Sequence, residues 1–330
     1  MPIPLSQLKP LGRDLNRPEC VLTHQSGLTF ASDWTANGGV SIIRPDHSIQ
    51  RIQAKHETAL RPNGIALEPD GCFLLAHLGA NDGGVFRLNP DGEIKAVLRS
   101  LNGQPLPPTN FVTIDNNGLI WITVSTRTQP RSDAYCASVR SGFIVQITEQ
   151  GARIVADDLG YTNECLVSPD GATLFVNETF ARRLSAFDIK NDLSLGPRRT
   201  VTTFGAGTYP DGLCLSTDGS LWVTSIVSNR VIRVYPGGRT ETVIEDCNTE
   251  HVDWAENAYQ SETMGRPHLD VAKGELLKNI SCLAFGGDNL STGYLGCLLG
   301  DTIQTVDLPV SGVPLSHWDA PLEKLLPFVR

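Results

Sequence analysis

Short apolar runs alternate with Asp-Gly or Asn-Gly turns along most of this chain. RPNGIALEPDGCFLLAH occupies residues 61–77, PTNFVTIDNNGLIWITV 108–124, YTNECLVSPDGATLFVN 161–177 and YPDGLCLSTDGSLWVTS 209–225. All four share one grammar: a polar residue, an apolar run, a tight turn and a second apolar run. Asp-Gly and Asn-Gly supply the positive φ that tight hairpins need. The β-branched and aromatic residues beside them favour strands. Two further strand-like runs follow each pair, such as GGVFRLNPDGEIKAVL and RVIRVYPGGRTETVI. Weaker copies open at Pro18–Glu19 and at Ile280–Ser281.

With the polar residue as anchor, the repeat gives Glu19, Asn63, Asn110, Asn163, Asp211 and Ser281, in steps of 44, 47, 53, 48 and 70 residues. Four strands recurring every 40–50 residues predict an all-β, six-bladed β-propeller with four-stranded antiparallel blades around a central channel. Six units account for 1–330 as one domain. A doubly wound α/β fold would require amphipathic helices between the strands, and the pattern contains none of convincing length. Two insertions break the rhythm, at 127–140 and around 247–280. The second is polar, can hold a short helix, and is expected to act as a lid over the central opening.

In a propeller the innermost strands line the channel, so the six anchors form a ring of polar groups. Carboxylates and carboxamide oxygens suit a hard cation such as calcium. Glu19 and Asp211 would bring the charge, Asn110 and Asn163 neutral oxygens. The absence of His and Cys from the ring disfavours a zinc-type site. The alternative is that each anchor caps its strand and bonds a turn.

Composition narrows the function classes. The formal charge is −9, against a nucleic-acid or anionic-membrane partner. Apolar residues make up 40%, enough for a large core, yet no apolar run reaches the ~18 residues that span a bilayer. No secretory leader is legible in MPIPLSQLKP, so a cytoplasmic location is expected. The eight cysteines form no CxxC pair and are expected to be small buried thiols. GxSxG and glycine-rich phosphate loops are absent, which favours metal-centred chemistry over a serine nucleophile.

From Pro18 to Leu308 the ring and its flanking strings resemble the senescence marker protein (regucalcin)/gluconolactonase family of metal-dependent lactonases. YPDGLCLSTDGSLWVTS is similar to that family's PDG segment, TNECLVSPDGATLFV to its SNG-type segment, and RPNGIALEPDG to its second-blade segment. The resemblance implies a six-bladed propeller with one central divalent ion. Calcium is the first expectation, with zinc, manganese or iron as alternatives. It implies Glu19, Asn110, Asn163 and Asp211 as metal ligands, with Asp211 also as catalytic base. Two departures stand out. Pro108 replaces the arginine that gluconolactonase-like members carry two residues before Asn110, and Cys20 follows Glu19. Both point to a lactone or ester less polar than a sugar-acid lactone.

The expected reaction is opening of a cyclic ester by activated water. Asp211 either takes the proton itself or orients a water held by the metal. The pocket wall is expected from Asn63, Trp34, His77, Glu178 and Arg182, with Asp82, Arg127 and Arg230 nearby. Glu178 and Arg182 can instead pair with each other at the surface. His251 and His268 reach the pocket only if the 247–280 segment folds over it. Phosphotriester hydrolysis, isomerisation or condensation at the same metal, or a non-enzymatic binding platform, are the alternative functions. A small-molecule substrate is the expected partner, for a monomer or small homo-oligomer.

Overall fold

A computed structural model describes residues 2–325 and 327. Six four-stranded antiparallel sheets follow one another around an axis. Their inner strands are Val21–Thr23, Pro62–Leu67, Thr109–Ile114, Thr162–Val167, Tyr209–Leu215 and Ile280–Gly286. Blades 1 to 5 are each built from consecutive strands. Blade 6 takes its first three from Ile280–Gly286, Thr292–Cys297 and Ile303–Asp307, and its outer strand from Lys9–Leu11 at the other end of the chain. Lys9 pairs with Thr305 and Leu11 with Ile303. The six-bladed all-β expectation therefore holds, and no strand pair is parallel among the described residues.

The turn grammar explains the hairpins. In blade 2, Gly71 adopts φ +82° and its N–H bonds the Glu68 carbonyl at 3.0 Å, while Asp70 accepts from the Cys72 N–H. A side chain at that φ would strain the turn. In blades 3 and 5 the tryptophan of the second strand locks the hairpin from inside. Trp121 donates to Asp115 at 2.9 Å and Trp222 to the Ser216 hydroxyl at 2.9 Å. Both rings are fully buried, so a satisfied indole N–H accompanies a large apolar contribution to the core. Phe30, Phe73, Leu75, Trp121, Leu174 and Val176 belong to one cluster that fills the space between successive blades.

The two ends of the channel are closed differently. At one end the segment after blade 6 runs across the mouth. Val313 N–H bonds the Leu215 carbonyl, the Ser316 hydroxyl bonds the Ile114 carbonyl, and Gln25 N–H bonds the Trp318 carbonyl. It thus touches blades 5, 3 and 1 in turn. At the other end lie the two insertions. The 247–280 segment forms helix α1 (Thr249–Gln260), capped by the Asn248 side chain on the His251 N–H, and the short helix α2 (Arg266–Leu269). Val252, Ala255, Ala258 and Tyr259 of α1 pack on Tyr135, Tyr161, Phe180 and Tyr209. The predicted excursion is therefore a docked helical cap over blades 4 and 5.

Candidate active site

Five inner strands lose their ladder register at the ring residue. The breaks fall between Pro62 and Ile65, Thr109 and Phe111, Thr162 and Cys165, Pro210 and Leu213, and Ile280 and Cys282. A β-bulge of this kind frees a residue from strand pairing and re-aims its side chain. Asn63, Asn110, Asn163 and Asp211 all fall at these departures from the two-residue period, and all four are buried. In blade 1 a loop takes the place of the bulge. Glu19 precedes its strand, and the Ser32 hydroxyl holds the N–H groups of Glu19 and Cys20 at 3.1 and 3.2 Å.

The ring converges on two carboxylates. Asp211 is buried 3% exposed and Glu19 6% exposed. Burial, and then the charge of Glu19, push the Asp211 carboxyl well above the ordinary range, against the opposing pull of Arg17 and a hydrogen bond from Asn163. The Asn163 amide also donates to Thr179 Oγ1 at 3.2 Å, and that hydroxyl donates to the Pro210 carbonyl at 2.8 Å. Asn177 Nδ2 bonds the carbonyls of Asp211 and Gly212 at 3.0 and 2.9 Å. Asn177 and Thr179 thereby fix the bulge that carries Asp211. The Ser281 hydroxyl bonds the Glu19 carbonyl at 3.0 Å across the seam between blades 6 and 1.

Two carboxamide oxygens in this ring, Asn63 Oδ1 and Asn110 Oδ1, are buried and accept no hydrogen bond. An orphaned buried acceptor is costly unless a cation or a water meets it. Two interacting carboxylates and unused carboxamide oxygens are the donor types of a hard cation, so the chemistry of these residues fits one.

Several wall residues sit differently from expectation. Glu178 is a correction. It is fully buried in the seam of blade 4, accepts from Gly160 N–H at 2.7 Å and from Ser185, and is ion-paired to Arg183 at 2.7 Å. All its capacity is spent on the scaffold, none on the channel. It does not pair with Arg182 either. Arg182 reaches into the cap, where it pairs with Glu256 of α1 and lies over the rings of Tyr259 (3.7 Å) and Tyr209 (4.7 Å). The Glu256 carboxyl is held down to about 2, since hydrogen bonds from Arg182, Gln260 and Gly207 outweigh the effect of burial. Arg127 and Arg230 are likewise committed, to Asp157 and Glu245.

Trp34 and His77 do stand at the capped end. Trp34 Nε1 bonds the Pro62 carbonyl at 2.8 Å, and its ring is covered by the guanidinium groups of Arg17 and Arg61. His77 accepts the Arg61 N–H at 2.9 Å and lies 3.9 Å from the exposed Asp82. His251 and His268 flank Trp254, the exposed aromatic of α1, and so belong to the cap's own packing.

Arg17 is the ring neighbour that sequence reasoning missed. Its Nε and Nη2 hold Glu19 Oε2 at 2.9 and 2.8 Å. An oppositely charged residue two positions away was visible in Arg-Pro-Glu, but the contact depends on a left-handed φ of 56° at Arg17 that no motif announces.

Comparisons with known proteins agree with this architecture. Residues 75–249 match the model of the SMP-30/Gluconolactonase/LRE-like region. The chain is 26% identical over 177 residues to a 6-deoxy-6-sulfogluconolactonase of Pseudomonas putida, covering 51% of this chain and 58% of that protein. It is 34% identical over 91 residues to regucalcin of Gallus gallus, covering 26% of this chain and 30% of the relative. The chain thus matches less than two thirds of the length of these curated relatives, 58% of one and 30% of the other. Among solved structures, a gluconolactonase from Xanthomonas campestris superposes with a TM-score of 0.66 at 18% identity, over 92% of this chain and 89% of that one. A calcium-binding regucalcin from Agrobacterium tumefaciens gives 0.66 at 16% identity, over 95% of each chain. These likenesses show the fold.

Proposed function

Because the chain belongs to the SMP-30/gluconolactonase/LRE-like family, we propose that it hydrolyses a lactone at the ring of Glu19, Asn110, Asn163 and Asp211, which would hold one divalent cation, calcium first. What supports this reading is a pair of interacting buried carboxylates, Glu19 and Asp211, on a repeat whose equivalent positions also carry the buried, unpartnered oxygens of Asn63 and Asn110. When bound, the cation supplies Lewis-acid polarisation of the ester carbonyl and balances the charge that grows on its oxygen.

The chain's own residues do the rest. Asp211 takes the proton of the attacking water as its oxygen bonds the carbonyl carbon. The ring C–O bond then breaks, and the same proton passes to the departing alkoxide, so the products are one hydroxy acid and a regenerated Asp211. Asn177 and Thr179 keep the Asp211 bulge in place through this cycle. Asn63 and Trp34 line the blade 1–2 side with His77, while the cap helix keeps water from the blade 4–5 side. Tyr161, just before the strand of Asn163, and Tyr209, the first residue of the strand of Asp211, give that side an aromatic wall under the cap. That wall and Pro108 favour a lactone of low polarity.

The test is hydrolysis of aliphatic and sugar-acid lactones by chelator-treated protein, with calcium, zinc, manganese or iron restored singly. Activity should return with one ion and be lost in Asp211→Ala. Equal activity in the stripped protein, or an active Asp211→Ala, sinks the reading.

A further inference from the structure

Below the oxygen ring the channel changes chemistry. The residues that follow the six anchors are Cys20, Gly64, Phe111, Glu164, Gly212 and Cys282. Of these, Cys20, Phe111, Glu164 and Cys282 line one cavity among the inner strands. Gly212 has no room for a side chain. A Cβ there would lie 2.5 Å from the Ser281 carbonyl oxygen and 2.7 Å from Cys282 Cα. The inner strands of blades 5 and 6 are therefore drawn together beside Cys282.

Cys20 Sγ, Cys282 Sγ and a carboxylate oxygen of Glu164 all lie within 4.8 Å of one another, and all three residues are buried. Their protein partners are mostly backbone groups. Cys20 Sγ is 3.7 Å from the Ile65 carbonyl, Cys282 Sγ is 3.8 Å from the Val21 carbonyl and accepts the Val21 N–H at 3.4 Å, and Glu164 Oε2 accepts the Leu213 N–H at 2.8 Å. They line a cavity of about 50 Å³ whose far end is closed by Leu315–Trp318. Among the described residues lining it, the sole basic group is His317 on that closing segment.

We propose that Cys20, Cys282 and Glu164 bind a thiophilic divalent cation, Zn²⁺ by donor chemistry, at a site separate from the oxygen ring. Two buried thiols alone would be ordinary apolar packing. A carboxyl buried beside them adds a third donor, an oxygen, and one that meets neither a cation nor a full set of donors is kept neutral by its proton. Zn–S bonds of about 2.3 Å and Zn–O bonds of about 2.1 Å in a tetrahedron place donors ~3.4–3.8 Å apart, so a pair at the 4.8 Å limit would contract by about 1–1.4 Å. The cavity has room for the ion and for a water in the fourth position, which takes ~10–15 Å³. Binding exchanges the two thiol protons for two sulfur–metal bonds. It would join blade 1, blade 4 and blade 6 at the axis, across the seam where the ring closes.

The experiment is a titration of chelator-treated full-length protein with Cd²⁺ as the spectroscopic probe, followed by Zn²⁺ competition. One equivalent of Cd²⁺ should produce an ultraviolet thiolate-to-metal charge-transfer band, which the oxygen ring has no sulfur to give. Cys20→Ala and Cys282→Ala should each abolish the band and weaken Zn²⁺ binding by at least about a hundredfold. Glu164→Gln should keep both thiols and a weakened band, and Asp211→Ala should keep the band unchanged. Circular dichroism and urea midpoints establish that each variant is folded. Should a cysteine variant fail to fold, the Glu164→Gln affinity and the wild-type band decide. No band in the wild type, a band surviving in the double cysteine variant, or unaltered Zn²⁺ affinity in Glu164→Gln overturns the proposal.

Discussion

Arg17 grips Glu19 with two nitrogens while its guanidinium lies 4.5 Å from the ring centre of Trp34. A positive group thus sits on one of the two carboxylates of the ring. It offsets part of the charge that would otherwise draw in a cation, and it pins Glu19 against the loop before blade 1. Removing it therefore has a definite sign. Arg17→Ala should bind Ca²⁺ at least about tenfold more tightly, because two unit charges at such range interact by several kcal/mol even at an effective dielectric of ~20. Isothermal titration checks this, and unchanged or weaker affinity would contradict it.

Asn177 acts on the backbone of the ring: its amide donates to the carbonyls of Asp211 and Gly212. Asn177→Ala should cost about 10–100-fold in Ca²⁺ affinity or in kcat, the range seen when a residue that orients a ligand is lost. The urea midpoint should move little by comparison. A variant with wild-type affinity and turnover would remove Asn177 from the positioning role.

Arg182 ties the cap to the propeller through Glu256, two aromatic faces and the Tyr209 hydroxyl at 2.9 Å. Arg182→Met leaves Glu256 without its partner, and the cap should lose about 2–3 kcal/mol of local stability. Amide exchange in Thr249–Gln260 should quicken at least tenfold, with the inner strands unchanged. Equal exchange in both proteins would show that the Tyr259 hydroxyl bond to Phe180 and the apolar face of α1 suffice.

His317, buried in the segment that closes the channel, has its pKa lowered to about 4 by burial and by His24 beside it. Its folded-state value lies below its unfolded value, so the unfolded chain takes up the proton first. Stability is full above the ordinary histidine pKa of ~6.5 and falls as pH drops from there towards 4, by about 3 kcal/mol at the limit. His24, also lowered by burial, adds to the same trend. Urea midpoints between pH 7 and pH 4.5 should decline, and His317→Gln should flatten the decline. A flat wild-type profile would refute the assignment.

The ring was legible because its signal is repeated. Asn63, Asn110, Asn163 and Asp211 each stand at the same offset from a turn, and the bulge recurs with them. Glu178 was misread because one copy cannot tell a strand end that faces the channel from one that faces the seam. Its Arg183 partner lies directly opposite it on the neighbouring strand, a relation set by register. The Arg182–Glu256 pair joins residues 74 positions apart, beyond any spacing rule. Lys9–Leu11 is three residues long, too short to show a period.

That short strand also has a consequence for how the protein comes into being. The Thr305 hydroxyl bonds the Lys9 carbonyl across 296 positions of chain. On a ribosome Lys9–Leu11 is made before the other strands of the propeller and waits, unpaired, until Ile303–Asp307 emerges. Blades 1 to 5 can form in order as they appear, whereas the circle can be shut only once, and last. Contacts so distant in sequence are the slow ones, since the loop-closure entropy must be met before they return anything. A nascent chain stalled before residue 303 would therefore be an open arc, exposing the flanks of both terminal blades to neighbouring chains.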